Sequence, residues 1–324
     1  MRLNIAAPLP SNTTIALTGG TGFIGHAIAR ALRERGHPVR ALVRQPSAAG
    51  ALDALGCERV SGSLEDRHAL AQLVEGADCV VHCAGVVRGG RYAHFHQGNV
   101  NGSINLFERI ATHSRPPRVI LFSSLAAREP RLSWYARSKY AAEQALLNTA
   151  PAQVPFDWTV LRPPAVYGPG DREMLPLFRL MARRGIAPVP GSTQARVSLL
   201  HIDDLVAATL AVLDSDHSSG RTLSLHDGQT GGYSWEDIAS TASLAWGRPV
   251  ALRPVPTLLL NLVASNNMRL ARLTGRAPML TPSKLRELRH DNWVCDNDAI
   301  QSTCDWQPRI GLAAGLASLT GAVA

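Results

Sequence analysis

Short apolar runs alternate along this chain with stretches whose apolar residues recur three and four positions apart. Residues 14–18 form a β-branched apolar run that meets a glycine-rich turn. Residues 24–35 then repeat apolar positions at helical spacing, Gly36 ends the repeat, and residues 39–43 read as a second strand. The same rhythm predicts a strand over 79–83, a helix near 101–112, a strand over 118–122, a helix over 138–148 and a strand over 158–161. Strands alternating with helices in this way predict an α/β fold, a doubly wound parallel sheet with helices on both faces.

After Pro163 the chain changes to loops rich in Gly and Pro between shorter helices. Residues 197–202, leading into a helix over 203–213, and residues 222–226 read as returns to the main sheet. From about 234 onward helices and one strand near 250–255 suggest a smaller lobe. The expected division is a dinucleotide-sized domain over 12–165 with returning segments at 197–226, and a substrate lobe built from 166–196 and 227–324.

Composition narrows the class. With 45% hydrophobic residues there is ample material for a core, and no apolar run reaches the roughly 20 residues of a membrane span. The first twelve residues are too weakly apolar for a signal peptide, so an unprocessed cytoplasmic protein with a short loose tail is expected. The five cysteines show neither a CxxC pair nor a zinc spacing, and Cys79 and Cys83 fall on one face of a strand as small core residues. The net charge of +8 is scattered without aromatic interleaving, which speaks against nucleic acid and for an anionic ligand or a basic solvated face. In the segment from 258 to 276, leucines are followed by Arg269, Arg272 and Arg276 at helical spacing. That pattern suits a membrane surface or an acidic carrier protein, but a lobe helix with a solvated arginine face is the favoured reading.

Candidate chemistry begins at TGGTGFIG. Where a strand turns into a helix, Gly19 permits a tight turn, Gly22 lets backbone approach a diphosphate and Gly25 allows close packing, with Thr21, Phe23 and Ile24 in the same turn. The helix N-terminus then favours negative charge, so a dinucleotide site is predicted. The second strand ends in Arg44 where NAD sites usually carry a carboxylate, which favours NADP(H) and leaves NAD(H) possible.

A second stretch, SWYARSKYAAE, sets Tyr135 and Lys139 four positions apart, neighbours on one face if the helix has begun. Among 33 basic residues only Lys139 and Lys284 are lysines. Lysine differs from arginine in being a compact ammonium whose pKa can shift. With the glycine turn in place, this pair resembles the YxxxK motif of the short-chain dehydrogenase/reductase superfamily. Its extended branch, the epimerase/dehydratase-like members, is the closer match, because HCAG, NVNG, FSS and LRPPAVYGPGD follow in the same order over nearly the whole chain.

The resemblance implies a Rossmann-type fold and a set of roles. Ser124 would hold the substrate oxygen, with Ser123 as the fallback, Tyr135 would act as general acid or base, and Lys139 would bind the nicotinamide ribose and stabilise tyrosinate. Free tyrosine titrates at about 10, and a neighbouring ammonium lowers that value. Cys83, Ala84 and Gly85 would line the cofactor, as would Asn99, Pro163 and Val166. At the adenine, where relatives commonly carry Asp, this chain has Ser63 before Leu64.

Two departures bear on the substrate. Ala165 stands where sugar-nucleotide enzymes of this branch usually carry asparagine, and only ten residues separate Ser124 from Tyr135. The resemblance therefore points to reductases acting on a fairly apolar carbonyl or alcohol, with Val87, Arg88, Trp134, Tyr167, Arg172, Met174 and Leu175 as candidate pocket residues. An epimerase or dehydratase is the runner-up, and a non-catalytic dinucleotide-binding scaffold or redox sensor the third reading. His94 and His96 lack a third ligand at metal spacing, so no metal is expected. His201 and Asp203 resemble a strand-to-helix junction at which Asp203 or Asp204 would cap the helix. The partners expected are a small-molecule substrate and, from the resemblance alone, a homodimer.

Overall fold

A computed structural model describes residues 9–10, 12–150, 155–274, 277–278 and 280–323. The expected N-terminal tail over residues 1–8 and Arg276 lie outside the described residues, as does the side chain of Arg272.

Strands β1 (Ile15–Thr18), β2 (Val39–Val43), β3 (Glu58–Ser61), β4 (Cys79–His82), β5 (Arg118–Phe122) and β6 (Trp158–Arg162) come first. Then follow β7 (Ala165–Tyr167), β8 (Ile186–Val189), β9 (Arg196–Val197), β10 (Leu199–His201), β11 (Arg221–Ser224), β12 (Ala251–Pro254) and β13 (Asn292–Trp293). Among the described residues the main sheet is parallel throughout, in the order β11-β6-β5-β4-β1-β2-β3. The order reverses between β1 and β4, which opens a crevice at the carboxyl ends of those two strands, the place where such sheets bind ligands.

Both faces of the sheet are covered, so its central strands are apolar without interruption. On β1, Ile15 and Leu17 point into a layer with Ile28 and Leu32 of the helix Phe23–Glu34 and Leu205 of the helix Ile202–Asp214. Ala16 points the other way, against Leu70 of the helix Arg67–Val74 and Leu106, Phe107 and Ile110 of the helix Gly102–Ala111. Cys79 and Val81 share the first layer, as even spacing requires. A third apolar cluster, around Tyr167, Phe178, Met181, Tyr233, Ile238 and Leu316, belongs to the segments beyond β6.

The sheet also corrects the sequence reading. Residues 197–202 do not return to it: β10 pairs with β7 and β9 with β13 in separate two-stranded ladders, whereas β11 does join the sheet beside β6. The prolines at 163 and 164 lack the N–H groups a ladder needs, so the chain leaves the sheet after β6 and β10 follows it out. Strand β3 and the helix Arg67–Val74 were not anticipated, since β3 buries only Val60 of its four residues. The helix Ile202–Asp214 is capped by His201, whose Nδ1 accepts from the Asp203 amide at 3.3 Å, and not by either aspartate.

Asp204 instead tethers the chain end. Its buried carboxylate accepts from the amides of Arg309 and Ile310 at 3.0 and 2.8 Å. Removing it strands both donors, so Asp204→Ala is expected to cost about 1–3 kcal/mol in denaturant unfolding. Asp204→Asn should recover part of that loss.

The helix Thr257–Thr274 differs most from expectation. Its outward side presents Leu258, Leu262, Leu270 and Leu273, and the exposed Arg269 stands among them where a solvated arginine face was anticipated. Among the described residues no helix is long and apolar enough to cross a membrane.

Candidate active site

The glycine turn at the end of β1 is built as the chemistry demands. Gly19 has φ +75°, and a Cβ there would lie 2.5 Å from the Ala84 amide nitrogen beyond β4. At Gly25 a Cβ would lie 2.2 Å from the Gly19 carbonyl oxygen, so the first helix presses directly on the turn. Gly22 caps that helix with no side chain, and the first turn holds no acidic residue. The helix therefore presents unpaired amides and its positive end to the crevice between β1 and β4. This glycine-lined cradle fits a dinucleotide diphosphate.

Around the cradle, Thr21 is exposed, while Phe23 and Ile24 pack against the core. Arg44 is exposed just past β2. The Ser63 hydroxyl accepts from the Glu65 amide at 3.2 Å, and the Leu64 carbonyl accepts from Asn105 Nδ2 at 2.8 Å.

Behind Cys83, Ala84 and Gly85 runs a buried chain of hydrogen bonds. The Ala84 amide donates to Thr18 Oγ1 at 3.2 Å, Thr18 Oγ1 meets His82 Nδ1 at 2.6 Å, and His82 Nε2 meets Ser103 Oγ at 2.9 Å. Ser103 in turn donates to the Asn99 carbonyl at 2.7 Å. Those directions assign the proton of a neutral His82 to Nε2. Burial, with Lys139 in support, holds His82 down to about 3 and so keeps it uncharged.

Asn99 sits in a π-helical segment, His96–Asn101, a geometry frequent at functional sites. Its side-chain carbonyl accepts from the Val86 amide, while Nδ2 donates to the Val86 carbonyl at 3.0 Å and to Ser138 Oγ at 2.8 Å. Ser138 donates to the Tyr135 carbonyl at 2.8 Å. With its amide spent on these bonds, Asn99 clamps the loop after β4 to the helix that carries Tyr135.

That helix, Trp134–Thr149, begins four residues earlier than its apolar spacing suggests, because Ser133 Oγ caps it by accepting from the Ala136 amide at 2.9 Å. Tyr135 thus lies in the first turn and Lys139 one turn on, along the same face. Lys139 Nζ is buried and donates to the Phe122 carbonyl at 2.8 Å. A Cβ at Gly85 would lie 3.1 Å from that nitrogen, so the glycine is what lets backbone and ammonium approach.

The serine doublet separates cleanly. Ser123 is buried and donates to Glu143, whose carboxylate is also held by Arg162, with Arg162 Nε at 2.9 Å. Ser124 Oγ accepts from the Ala126 amide at 3.2 Å, and of the two serines its hydroxyl is the one that acts on Tyr135. Burial pushes the Tyr135 hydroxyl up to about 12; the Ser124 hydroxyl pulls it back, and Glu287 and Glu173 push further up. The lowering expected from Lys139 is not among these influences, and burial also drives Lys139 down, to about 8.

The outer wall was not legible beforehand. Lys284 Nζ lies 5.5 Å from the centre of the Tyr135 ring, a cation–π distance, and is tied to Glu287, which also accepts from Ser133 Oγ. Lys284 therefore stands at the tyrosine whose helix also carries Lys139. Phe95 meets the same ring edge-on at 6.5 Å, and Trp134 is anchored through its amide to Ser283 Oγ at 2.8 Å. Arg88 pairs with Glu173 at 2.8 Å, and Val87 and Arg172 are exposed nearby in sequence. Pro163 is buried, its carbonyl accepting from the Leu125 amide at 2.8 Å, and Val166 packs on the main core.

Tyr167 is a correction. It is 0% exposed, packed against Phe178 and His201, and so is a core residue without surface for a substrate. Strand alternation turns it away from the crevice, the opposite way to Val166. Met174 and Leu175 likewise pack against that third cluster. Among the described residues no three His, Cys, Asp or Glu side chains gather as a metal site, His94 and His96 included.

The NAD dependent epimerase/dehydratase family model matches residues 15–225. A ceramide reductase of Caulobacter vibrioides is 35% identical over 280 residues, covering 86% of this chain and 85% of that protein. A 2-alkyl-3-oxoalkanoate reductase of Stenotrophomonas maltophilia is 31% identical, over 60% of this chain and 63% of that protein. A UDP-glucuronic acid 4-epimerase of Bacillus cereus, solved with NAD, superposes with a TM-score of 0.75 at 17% identity over 96% of this chain and 98% of that one, a likeness of fold. The chain belongs to the NAD-dependent epimerase/dehydratase family, the extended short-chain dehydrogenase/reductases, and is an NAD(P)-dependent oxidoreductase of that family.

Proposed function

We propose that the chain is an NADP(H)-dependent reductase acting through Ser124, Tyr135 and Lys139 on a carbonyl group of a largely apolar molecule that is not a sugar nucleotide. The observation that carries this reading is the placement of Tyr135 and Lys139 one turn apart on one helix, with Lys139 held against the loop after β4 and burial keeping the proton on Tyr135 throughout the neutral range. A tyrosine in that state donates a proton to an oxygen that is gaining negative charge, which is the reductive direction. The nicotinamide cofactor, when bound, supplies the hydride. Ser124 holds the carbonyl oxygen, Tyr135 protonates it, and Lys139 binds the ribose. Holding both reactants in one site removes much of the entropic barrier.

Phe95 and Trp134, which line one small cavity with the tyrosine, Ala165 in place of asparagine, and relatives named for ceramide and alkyl-oxoalkanoate support an apolar, lipid-like ketone. Loss of NADPH absorbance, with NADH in parallel, against short and long-chain ketones and 3-oxoacyl amides and thioesters tests the reading. Turnover is expected on the long-chain compounds. Tight dinucleotide binding without turnover on any of them would sink it.

Arg44 carries the cofactor preference. Arg44→Glu replaces a charge-assisted bond to phosphate by repulsion, so NADPH affinity should fall by about tenfold or more while NADH affinity holds. Equal losses for both cofactors would remove Arg44 from that role.

Lys139 sets a pH dependence. Because burial brings it to about 8 from an ordinary 10.5, the ammonium is lost earlier than usual, and dinucleotide affinity should decline as pH rises through that value. Lys139→Arg keeps its charge and should flatten the profile. Folding stability moves in the opposite sense: from about pH 8 to 10.5 the unfolded chain keeps a proton that the folded one has shed, so this group's contribution rises with pH.

A further inference from the structure

The helix Thr257–Thr274 buries its poorer face. Ala264, Asn267 and Met268 turn toward the protein, while Leu258, Leu259, Leu262, Val263, Leu270 and Leu273 are exposed. Leu258 and Leu273 are each 84% exposed and Leu262 is 58% exposed. At the α-helical repeat these six fall within an arc of about 140°. Single exposed leucines are ordinary, but six exposed apolar side chains on one arc, with only Asn266 and Arg269 among them, mark an interaction surface.

Charge identifies what covers it. From residue 238 to 286 the sequence has seven Lys and Arg and no Asp or Glu. Arg253, Arg269 and Arg286 are exposed on or around the helix. A second copy of this surface would bring like charges together, whereas an anionic bilayer offers negative charge and an apolar phase side by side. The helix also borders the Tyr135 site. A Cβ at Gly90 would lie 3.8 Å from Met268 Cε, Asn267 Nδ2 donates to the Leu280 carbonyl at 3.4 Å, and Pro278 lines the small cavity that Tyr135 and Lys284 share.

We propose that this helix seats the protein on the surface of an anionic lipid bilayer, its leucines entering the headgroup boundary and its arginines meeting lipid phosphates, with the Tyr135 site beside the contact. The helix lies along the surface and does not span it. This surface assignment does not depend on which compound is reduced.

The test is co-sedimentation of the full chain with phosphatidylcholine vesicles, with and without phosphatidylglycerol, for wild type and for the triple variant Leu258→Asn, Leu262→Asn, Leu273→Asn. These side chains support no core, so thermal unfolding of the variant should match wild type. Wild type is expected to sediment with phosphatidylglycerol vesicles, to be released in part by salt, and to lose about tenfold in bound fraction in the variant. Reduction of a water-soluble ketone should be unchanged by the three substitutions. The proposal is overturned if wild type ignores phosphatidylglycerol vesicles or the correctly folded variant binds them equally. Ultracentrifugation showing a wild-type dimer that the variant abolishes, with no vesicle binding, would overturn it in favour of a second copy.

Discussion

Tyr135→Phe should lower turnover by about 10²–10⁴-fold while leaving dinucleotide affinity nearly unchanged. The substitution keeps the ring, so the edge-on contact with Phe95 and the neighbouring Lys284 ammonium retain their partner. What disappears is the buried hydroxyl that carries the transferable proton. Single-turnover measurement of the chemical step, with NADPH binding followed separately by fluorescence, distinguishes this from a general loss of structure. Residual turnover above about half of wild type would mean that water or another group protonates the substrate, and Tyr135 would lose its role.

Gly25→Ala should produce the second large effect, on binding instead of chemistry. The added Cβ would meet the Gly19 carbonyl oxygen at 2.2 Å, and that oxygen is fixed by the Gly22 amide at 2.9 Å. No flexible side chain can yield at this contact, so the turn itself must move. Overpacking of this kind costs about 1–3 kcal/mol, and because the displaced backbone is the diphosphate cradle, NADPH affinity should drop by about 10- to 100-fold. Gly50→Ala is the control, since nothing lies within 4 Å of a Cβ there. Affinity for NADPH within about twofold of wild type in Gly25→Ala would show that the dinucleotide does not use this turn.

The parts of the molecule that could be read from the sequence are those governed by local chemistry. The strand, glycine turn and helix from Ile15 to Glu34 are specified by β-branched residues, by glycines where a Cβ would collide, and by helical spacing, and they form as expected. Where long-range pairing decides, the sequence says less. Strand β10 has the apolar character of a sheet strand, yet it pairs with β7 because the prolines after β6 direct that chain out of the main ladder. Tyr167 sits in a motif full of pocket residues, but only the side of the strand it occupies could show that it faces the third cluster.

Lysine is scarce in the chain, and Lys284 joins the candidate site although the sequence singles out only Lys139. Lys139 stood out through its spacing from Tyr135, while Lys284 lies 145 positions further along and reaches the same ring only through tertiary packing. The choice between Ser123 and Ser124 was open for a related reason. It depends on where Glu143 and Arg162 meet, which neighbouring residues in the sequence do not reveal. In the helix Thr257–Thr274 apolar residues occur on several sides, so which face would remain outside was fixed by docking against the segment around Leu280 and not by periodicity.

The most direct measurement of the central claim is isotope transfer. NADPH deuterated at the transferring position of nicotinamide C4 is incubated with a long-chain ketone that the protein consumes, and the product is analysed by mass spectrometry and NMR. Net reduction through Tyr135 predicts one deuterium on the new carbinol carbon, one NADPH consumed for each alcohol formed, and loss of both signals in Tyr135→Phe. Substrate altered without net oxidation of NADPH, or deuterium absent from that carbon, would contradict the account.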